Sequence, residues 1–320
     1  MDPRFLFASL ALLAAAPLAA TAQVYPSKPV RIIVPLTPGG PSDIVARILG
    51  ARLSTALAQP VIIENKPGGS QIIGADYVAK ARPDGYTLLQ GSMTMVANPI
   101  VMQNLPYDTV KDFAPVSLTQ LTPYVFAVSA QSKIQSVADL VKFIRDNPGK
   151  VTYGTTGHGS AQELATLLFA QTLTLPAMTE VQYKGSTAAY PDLISNRIDF
   201  MIDPLAAASP HIKSGSLRAL AVTTPQRNAN FPNVPTAIEA GVTGYDFASW
   251  GGMFAPAGTP RDIVMKLSDE VAKALASPDV RKRFDDLGLL VPKSSKPQEF
   301  DDLLIAEMTR WKAVLAAKKP

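Results

Sequence analysis

Twice in this chain a short apolar strand runs into a turn of glycine, serine, threonine and proline, and the turn opens directly into a helix. The first copy is the strand Val30–Pro35, the turn Leu36-Thr37-Pro38-Gly39-Gly40-Pro41-Ser42-Asp43 and a helical run from Ile44. The second is Val151-Thr152-Tyr153-Gly154, the turn Thr155-Thr156-Gly157-His158-Gly159-Ser160 and a helical run from Ala161. A strand feeding a helix through a short turn is the unit of α/β folds. The helix start it creates has N–H groups without intrahelical partners and a positive dipole end, beside residues small enough to admit an anion. Two such cradles on one chain suit a carboxylate held between two lobes.

Strand-like and helix-like runs alternate through most of the remainder. Ile44, Val45, Ile48, Leu49, Leu53 and Leu57 recur at helical spacing and predict a helix over 42–57. Strands are predicted at 60–64, 86–89, 180–183, 198–202 and 217–222, and the turn cluster 65–70 can open a further helix. Helices are predicted at 136–147, 160–172 and 188–194, in a run ending near Ser214-Gly215, and in a C-terminal series at 260–276, 278–287 and 297–318. Segment 225–246 reads as loop plus a short helix. Two extended passages, 114–129 and 247–254, bracket the second series. That arrangement predicts one lobe of residues 23–123 with 247–320, the C-terminal helices returning to it, and a second lobe, 124–246, inserted between them.

Residues 1–22 have the form of a cleaved export signal, with Arg4, the apolar run Phe5–Ala16 and the small-residue site Ala20-Thr21-Ala22. The apolar core is short for a bilayer span. The chain is therefore expected to be exported. With no cysteine there is no disulfide framework and no thiol nucleophile. The net charge of +4 is dispersed and not gathered with aromatics. This speaks against a nucleic-acid partner and leaves a weak bias toward anionic solutes.

Each candidate residue has a plain structural reading beside the functional one. Gly39 and Gly40 tolerate left-handed backbone and lack a Cβ; Ser42 suits a helix cap, and Asp43 already complements the helix dipole. Ser160 and Glu163 form a Ser-x-x-Glu capping box, whereas the functional reading gives Thr155, Thr156, Gly157, Gly159 and Ser160 to a ligand. Asp203, at the end of a predicted strand, either meets a ligand or caps the helix after Pro204. Tyr124, Lys184 and Trp250 either line a cleft or belong to core and solvent. Gly157-x-Gly159 lacks the third glycine of a dinucleotide fingerprint, since Gln162 stands there, and Glu180 opens the next strand instead of closing it. His158 and His211 are the only histidines, no Gly-x-Ser-x-Gly occurs, and no zinc-ligand spacing is present. The sequence therefore assigns no catalytic residue, no metal and no cofactor.

Further stretches, in order, carry a resemblance. They include Tyr25-Pro26-Ser27-Lys28-Pro29-Val30-Arg31, Pro38-Gly39-Gly40-x-Ser42-Asp43, Glu64-Asn65-Lys66-Pro67-Gly68, Pro83-Asp84-Gly85-Tyr86-Thr87-Leu88, Lys111-Asp112-Phe113-Ala114-Pro115-Val116 and Ala255-Pro256-Ala257-Gly258-Thr259-Pro260. From about Tyr25 to Lys312 the chain resembles the Bug-type solute-binding proteins of tripartite tricarboxylate transporters. The resemblance implies an α/β, two-lobed periplasmic binding protein fold of type II-like build, each lobe a βα-layered sheet, with the ligand cleft between them. It implies a non-catalytic monomer that closes on a small carboxylate: a di- or tricarboxylate, an aromatic acid or an acidic amino acid. Membrane permease subunits, or a sensor kinase, would receive the closed form. By position it assigns to the ligand Thr37, Pro38, Gly39, Gly40, Pro41, Ser42, Asp43, Gly68, Gly69 and Ser92, and from the second lobe Thr156, Gly157, Gly159, Ser160 and Asp203. Three second-lobe positions depart from the family pattern: Glu163, where a histidine is frequent, Pro204 after Asp203, and Pro191 inside a predicted helix. The competing reading is an enzyme using the same cleft, a nucleotide-dependent oxidoreductase or a hydrolase, for which no complete motif is present.

Overall fold

The computed structural model describes residues 25–316, so the export-signal reading of residues 1–22 lies outside it. The chain opens as β1 (Val30–Val34), α1 (Pro41–Leu57), β2 (Val61–Asn65), α2 (Ile72–Ala79), β3 (Thr87–Ser92) and α3 (Thr94–Val101). β2 and β3 flank β1 in parallel, and β9 (Ala248–Pro256) runs antiparallel against β3. Central strands covered on both faces read as unbroken apolar runs, which is why Ile32, Ile33 and Val34 are consecutive and buried. On one face they meet Val45, Leu49 and Leu53 of α1, together with Leu267 and Val271 of α8 (Arg261–Ala276) and Phe284 of α9 (Pro278–Asp286).

The long strand β4 (Phe113–Ser129) is shared between two sets of partners. Residues 113–123 pair with β9, and residues 124–129 pair with β7 (Met201–Pro204) and β8 (Leu217–Val222). Register shifts at Pro115/Ser117, Leu118/Gln120 and Phe126/Ala127 bend the strand along its course. Beside this second set lie α4 (Val137–Asp146), β5 (Thr152–Thr155), α5 (Ala161–Thr172), β6 (Thr179–Gln182), α6 (Ser186–Ile194) and α7 (Leu205–Lys213). β5 and β6 form a parallel pair, tied back through Gly154, whose N–H donates to the carbonyl of Phe200 at 3.1 Å. The result is two βα-layered bodies joined by extended chain, the expected α/β two-lobed architecture.

The last helix, α10 (Pro297–Ala316), lies against α3, β4 and α5, so it reaches beyond the first set of strands to which the sequence reading confined it. Phe300 packs on Trp250 and Phe254, with ring centroids 5.6 and 5.0 Å away. Trp311 is fully buried, edge-on to Phe247, and its indole N–H donates to Glu307 at 2.7 Å.

Other differences have local causes. α3, which the sequence reading does not include, carries Pro99 internally, and the helix predicted at 188–194 forms as α6 with Pro191 inside it; both stay short. The strand expected at 198–202 forms at 201–204, so Asp203 lies within β7, opposite Val125, and does not close the strand. Segment 225–246 contains turns and one i→i+4 bond, Ala240 N–H to Thr236, and no α-helix.

Candidate functional site

In the first cradle Gly39 takes φ +88° and Gly40 is the N-cap, followed by Pro41 in the first helical turn, where its missing N–H costs nothing. Ser42 is therefore not the cap expected from sequence; it is the second residue of the helix and is buried. Asp43 points inward. Its carboxylate accepts the Gly39 N–H at 2.9 Å and the Asn65 Nδ2 at 2.9 Å, and pairs with Arg47 at 2.9 Å. The Arg47 hydrogen bond outweighs burial and holds the Asp43 carboxyl down at about 2. Because its charge is met by Arg47, Asp43 fixes the loop without opposing an anion beside it.

This has a pH signature. A carboxyl held below its unfolded value near 3.8 stabilises the fold fully above that value, and the contribution fades as pH falls toward about 2. Asp43→Asn is expected to cost about 1–2 kcal/mol at pH 7, after allowing for the half-exposed Arg47. The gap to wild type should narrow below pH 4, as urea denaturation at pH 7 and pH 3 would show. A gap that widens on acidification contradicts the assignment.

The second cradle repeats the first at the same offsets. Gly159 has φ +72°, Ser160 is the N-cap, and Glu163 occupies the position of Asp43. Ser160 Oγ accepts the Glu163 N–H at 3.3 Å, and Glu163 Oε2 accepts the Gly159 N–H at 2.6 Å. In both loops an acid in the first helical turn accepts the N–H of a glycine four residues earlier. Those two glycine N–H groups serve the loops themselves, leaving hydroxyls and first-turn N–H groups to face a ligand.

Between the loops lies a cavity of about 480 Å³. One wall comes from the turns after β1 and β2, the end of β3 and α3, with Thr37, Gly68, Ser70, Gln71, Ser92, Thr94 and Asn98. The other comes from the turns after β5 and β6, with Thr156, His158, Gly159, Ser160, Tyr183 and Lys184. Tyr124 and Ser249 line it where β4 and the start of β9 pass between the walls. The two walls also touch: a Cβ on Gly159 would stand 3.3 Å from Val101 and 3.6 Å from Ala97, both on α3.

Of the residues expected to meet a ligand, Thr37, Gly68, Ser92, Thr156, Gly159 and Ser160 line this cavity. Pro38, Gly39, Gly40, Pro41, Ser42, Asp43, Gly69, Gly157 and Asp203 are not brought to its wall. Asp203 is fully buried behind it, accepting from Ser186 Oγ and Tyr190 OH, both at 2.6 Å, and from Gln162 Nε2 at 3.3 Å. Burial pushes its carboxyl up, against those three donors. Gln162 in turn accepts from Thr156 Oγ1 at 3.0 Å, so Asp203 acts on the cavity through the groups it orients. Trp250 belongs to the core, and Tyr124 to the cavity, where burial raises its phenol and keeps it protonated.

Sequence reasoning missed Ser70, Gln71, Thr94, Asn98 and Ser249. Ser70 and Gln71 are non-glycine residues with φ +53° and +74°, a local strain that has no composition signal. Ser92 Oγ donates to Gln71 Oε1 at 3.0 Å and Asn98 Nδ2 to the Ser70 carbonyl at 2.9 Å, which together hold this wall.

The family model described as "Tripartite tricarboxylate transporter family receptor" matches residues 45–319. The chain belongs to that family. The receptor is 34% identical over 297 residues to the protein BugT of Bordetella pertussis, an alignment covering 92% of this chain and 90% of BugT. Its fold is similar to that of MatC from Rhodopseudomonas palustris with bound malate, at TM-score 0.78 and 34% identity, covering 91% of this chain and 99% of MatC. It is also similar to R. palustris Rpa4515 with adipate, at TM-score 0.80 and 38% identity, covering 91% and 97% of the two chains. The receptor's departures now have places: Glu163 closes the second loop, Pro204 pairs with Tyr124 at the end of β7, and Pro191 lies inside the short α6.

Proposed function

We propose that this receptor captures a small organic carboxylate in the cavity between its lobes and, from the periplasm, presents it to the permease subunits of a tripartite membrane transporter. One observation carries the reading: two loops of the same construction contribute to one cavity, the first through Thr37 and the second through Thr156, Gly159 and Ser160, and its walls come from different parts of the chain. Malate in MatC and adipate in Rpa4515 support a carboxylate as the ligand class. The moving bodies are residues 23–123 with 247–320, and residues 124–246, and capture is the closure of one on the other.

Thr37, Gly68, Ser92, Thr156, Gly159 and Ser160 are the contacts, while Pro38 to Asp43, Gly69, Gly157 and Asp203 shape the loops that present them. Each charge-assisted hydrogen bond made on closure contributes roughly 1.5–3 kcal/mol, so a few suffice for tight capture. Binding and release make and break no covalent bond in the ligand, and the protein acts as a receptor without catalysis. Calorimetric titration with malate, adipate, citrate, benzoate and glutamate tests the reading. Saturable binding of at least one acid is expected, and silence across the panel from folded protein counts against it.

A further inference from the structure

We infer that His158, Glu163 and Glu180 form a site for a divalent transition-metal ion in the second-lobe wall of the cleft, with an open coordination position on the cavity side. The residues come from three elements, the β5–α5 loop, α5 and β6, and sequence spacing gives no hint of their meeting. His158 Nδ1 lies 3.2 Å from Glu163 Oε1 and 3.6 Å from Glu180 Oε2, and the three donor atoms all fall within 4.8 Å of one another. Metal bonds of about 2.0–2.2 Å place neighbouring donor atoms roughly 3.0–3.6 Å apart, a spacing that both separations from His158 Nδ1 meet.

The carboxylates are held the way metal ligands are held. Glu163 gives Oε2 to the Gly159 N–H at 2.6 Å and turns Oε1 to the imidazole. Glu180 gives Oε1 to the hydroxyl of Thr155 at 2.6 Å and turns Oε2 to the same nitrogen. The Thr155 hydroxyl is itself fixed by the Gly157 N–H at 3.1 Å. One oxygen of each acid thus accepts from the fold while the other faces His158 Nδ1, the pattern by which outer hydrogen bonds orient coordinating groups. Glu163 is 2% exposed and Glu180 12%, whereas His158, at 68%, opens the group to the cavity it lines. One imidazole nitrogen and two carboxylate oxygens suit Zn²⁺ or Mn²⁺; Ca²⁺ takes oxygen donors instead.

The site also answers a charge problem. Two acids directed at one nitrogen bring negative charge into the wall of a cleft read as an anion site, and a divalent ion reverses that sign. On the carboxylate reading above, a water on the open position leaves and a carboxylate oxygen of the ligand takes its place, so the receptor grips its acid partly as a metal complex.

Chelator-treated, untagged protein should be titrated with ZnCl₂ and with MnCl₂, each without any carboxylate. One ion per chain is expected. His158→Ala and Glu180→Gln should each weaken binding at least about tenfold, with unchanged melting curves in the absence of metal. His211→Ala, on a histidine stacked against Tyr190, should change nothing. No stoichiometric binding, or binding that follows His211, overturns the site and identifies the cluster as an imidazole hydrogen-bonded between two acids. Repeating the carboxylate panel with and without metal separates the two readings. Metal binding with no acid bound in either condition keeps the site and fails the receptor reading, whereas equal acid affinity in both overturns the coordinating role.

Discussion

Gly159→Val is expected to abolish ligand capture, lowering affinity at least about 100-fold, while both lobes remain folded. A hundredfold corresponds to about 2.7 kcal/mol, and two effects combine to reach it. Gly159 occupies φ +72°, a conformation that costs a side-chain-bearing residue about 1–2 kcal/mol. Its N–H is fixed to Glu163, so the loop cannot relax by rotating without surrendering that bond. The new side chain would project at α3, since a Cβ already stands 3.3 Å from Val101 Cγ2 and 3.6 Å from Ala97 Cβ. The branched methyls would hold the second loop off the first wall, where Gly159, which lines the cavity, approaches α3. Calorimetry against the tightest-binding acid measures the loss, and circular dichroism melting verifies the fold. Wild-type affinity in this variant would show that the loop's approach to α3 has no part in capture.

Gly252→Val should have the largest effect on stability, at least about 3 kcal/mol. Gly252 sits in β9, between its partners in β3 and β4, and a Cβ there would lie 2.1 Å from Phe300 Cζ. Phe300 cannot swing aside easily, because it is buried against Trp250 and Phe254 at the start of α10. Displacing it moves a helix that packs on α3, β4 and α5, so the damage is not local. A urea-denaturation double-mutant cycle with Phe300→Ala checks the cause: the pair should recover part of the loss, giving a coupling of 1 kcal/mol or more on the scale of about 0.5–3 kcal/mol typical of touching residues. Additive losses would mean that the glycine is required for some other reason.

Both predictions depend on packing that no single stretch of sequence displays, and this marks where legibility ended. The consecutive Ile32, Ile33 and Val34 of β1, the short apolar runs of the strands beside it and the helical spacing of α1 identified the first layered sheet, because burial on both faces leaves a local pattern. The two cradles were visible for the same reason: glycine and a capping residue before a helix are neighbours in the chain. What lay behind each cradle was not visible. Asp43 looked like an ordinary dipole partner and Glu163 like the acid of a capping box, yet each reaches back to the N–H of a glycine before the cap, and only the loop conformation shows it.

The cavity wall was read in part. Thr37, Ser92, Thr156 and Ser160 stand in or beside turns that local pattern identifies. Gln71 and Asn98 reach the cavity through left-handed backbone at 70–71 and through α3, a helix that carries Pro99 and that the sequence reading does not include. Asp203 was placed at the end of its strand but lies inside β7, buried behind the cavity wall, because the apolar residues Ile198, Phe200, Met201 and Ile202 leave the strand's bounds ambiguous. The His158–Glu163–Glu180 group joins residues of a loop, a helix and a strand, a meeting set by the β5–α5–β6 geometry alone.

The central claim, that two like-built loops close an organic acid between the lobes, is tested most directly by titrating ligand-stripped receptor with malate and adipate, with and without zinc, beside the Gly159→Val variant. The account predicts saturable one-to-one heat for at least one of the acids in the wild type and none at matching concentrations in the variant. Fully folded wild type that gives no binding heat with either acid in either buffer, or a variant that binds as wild type does, would contradict it.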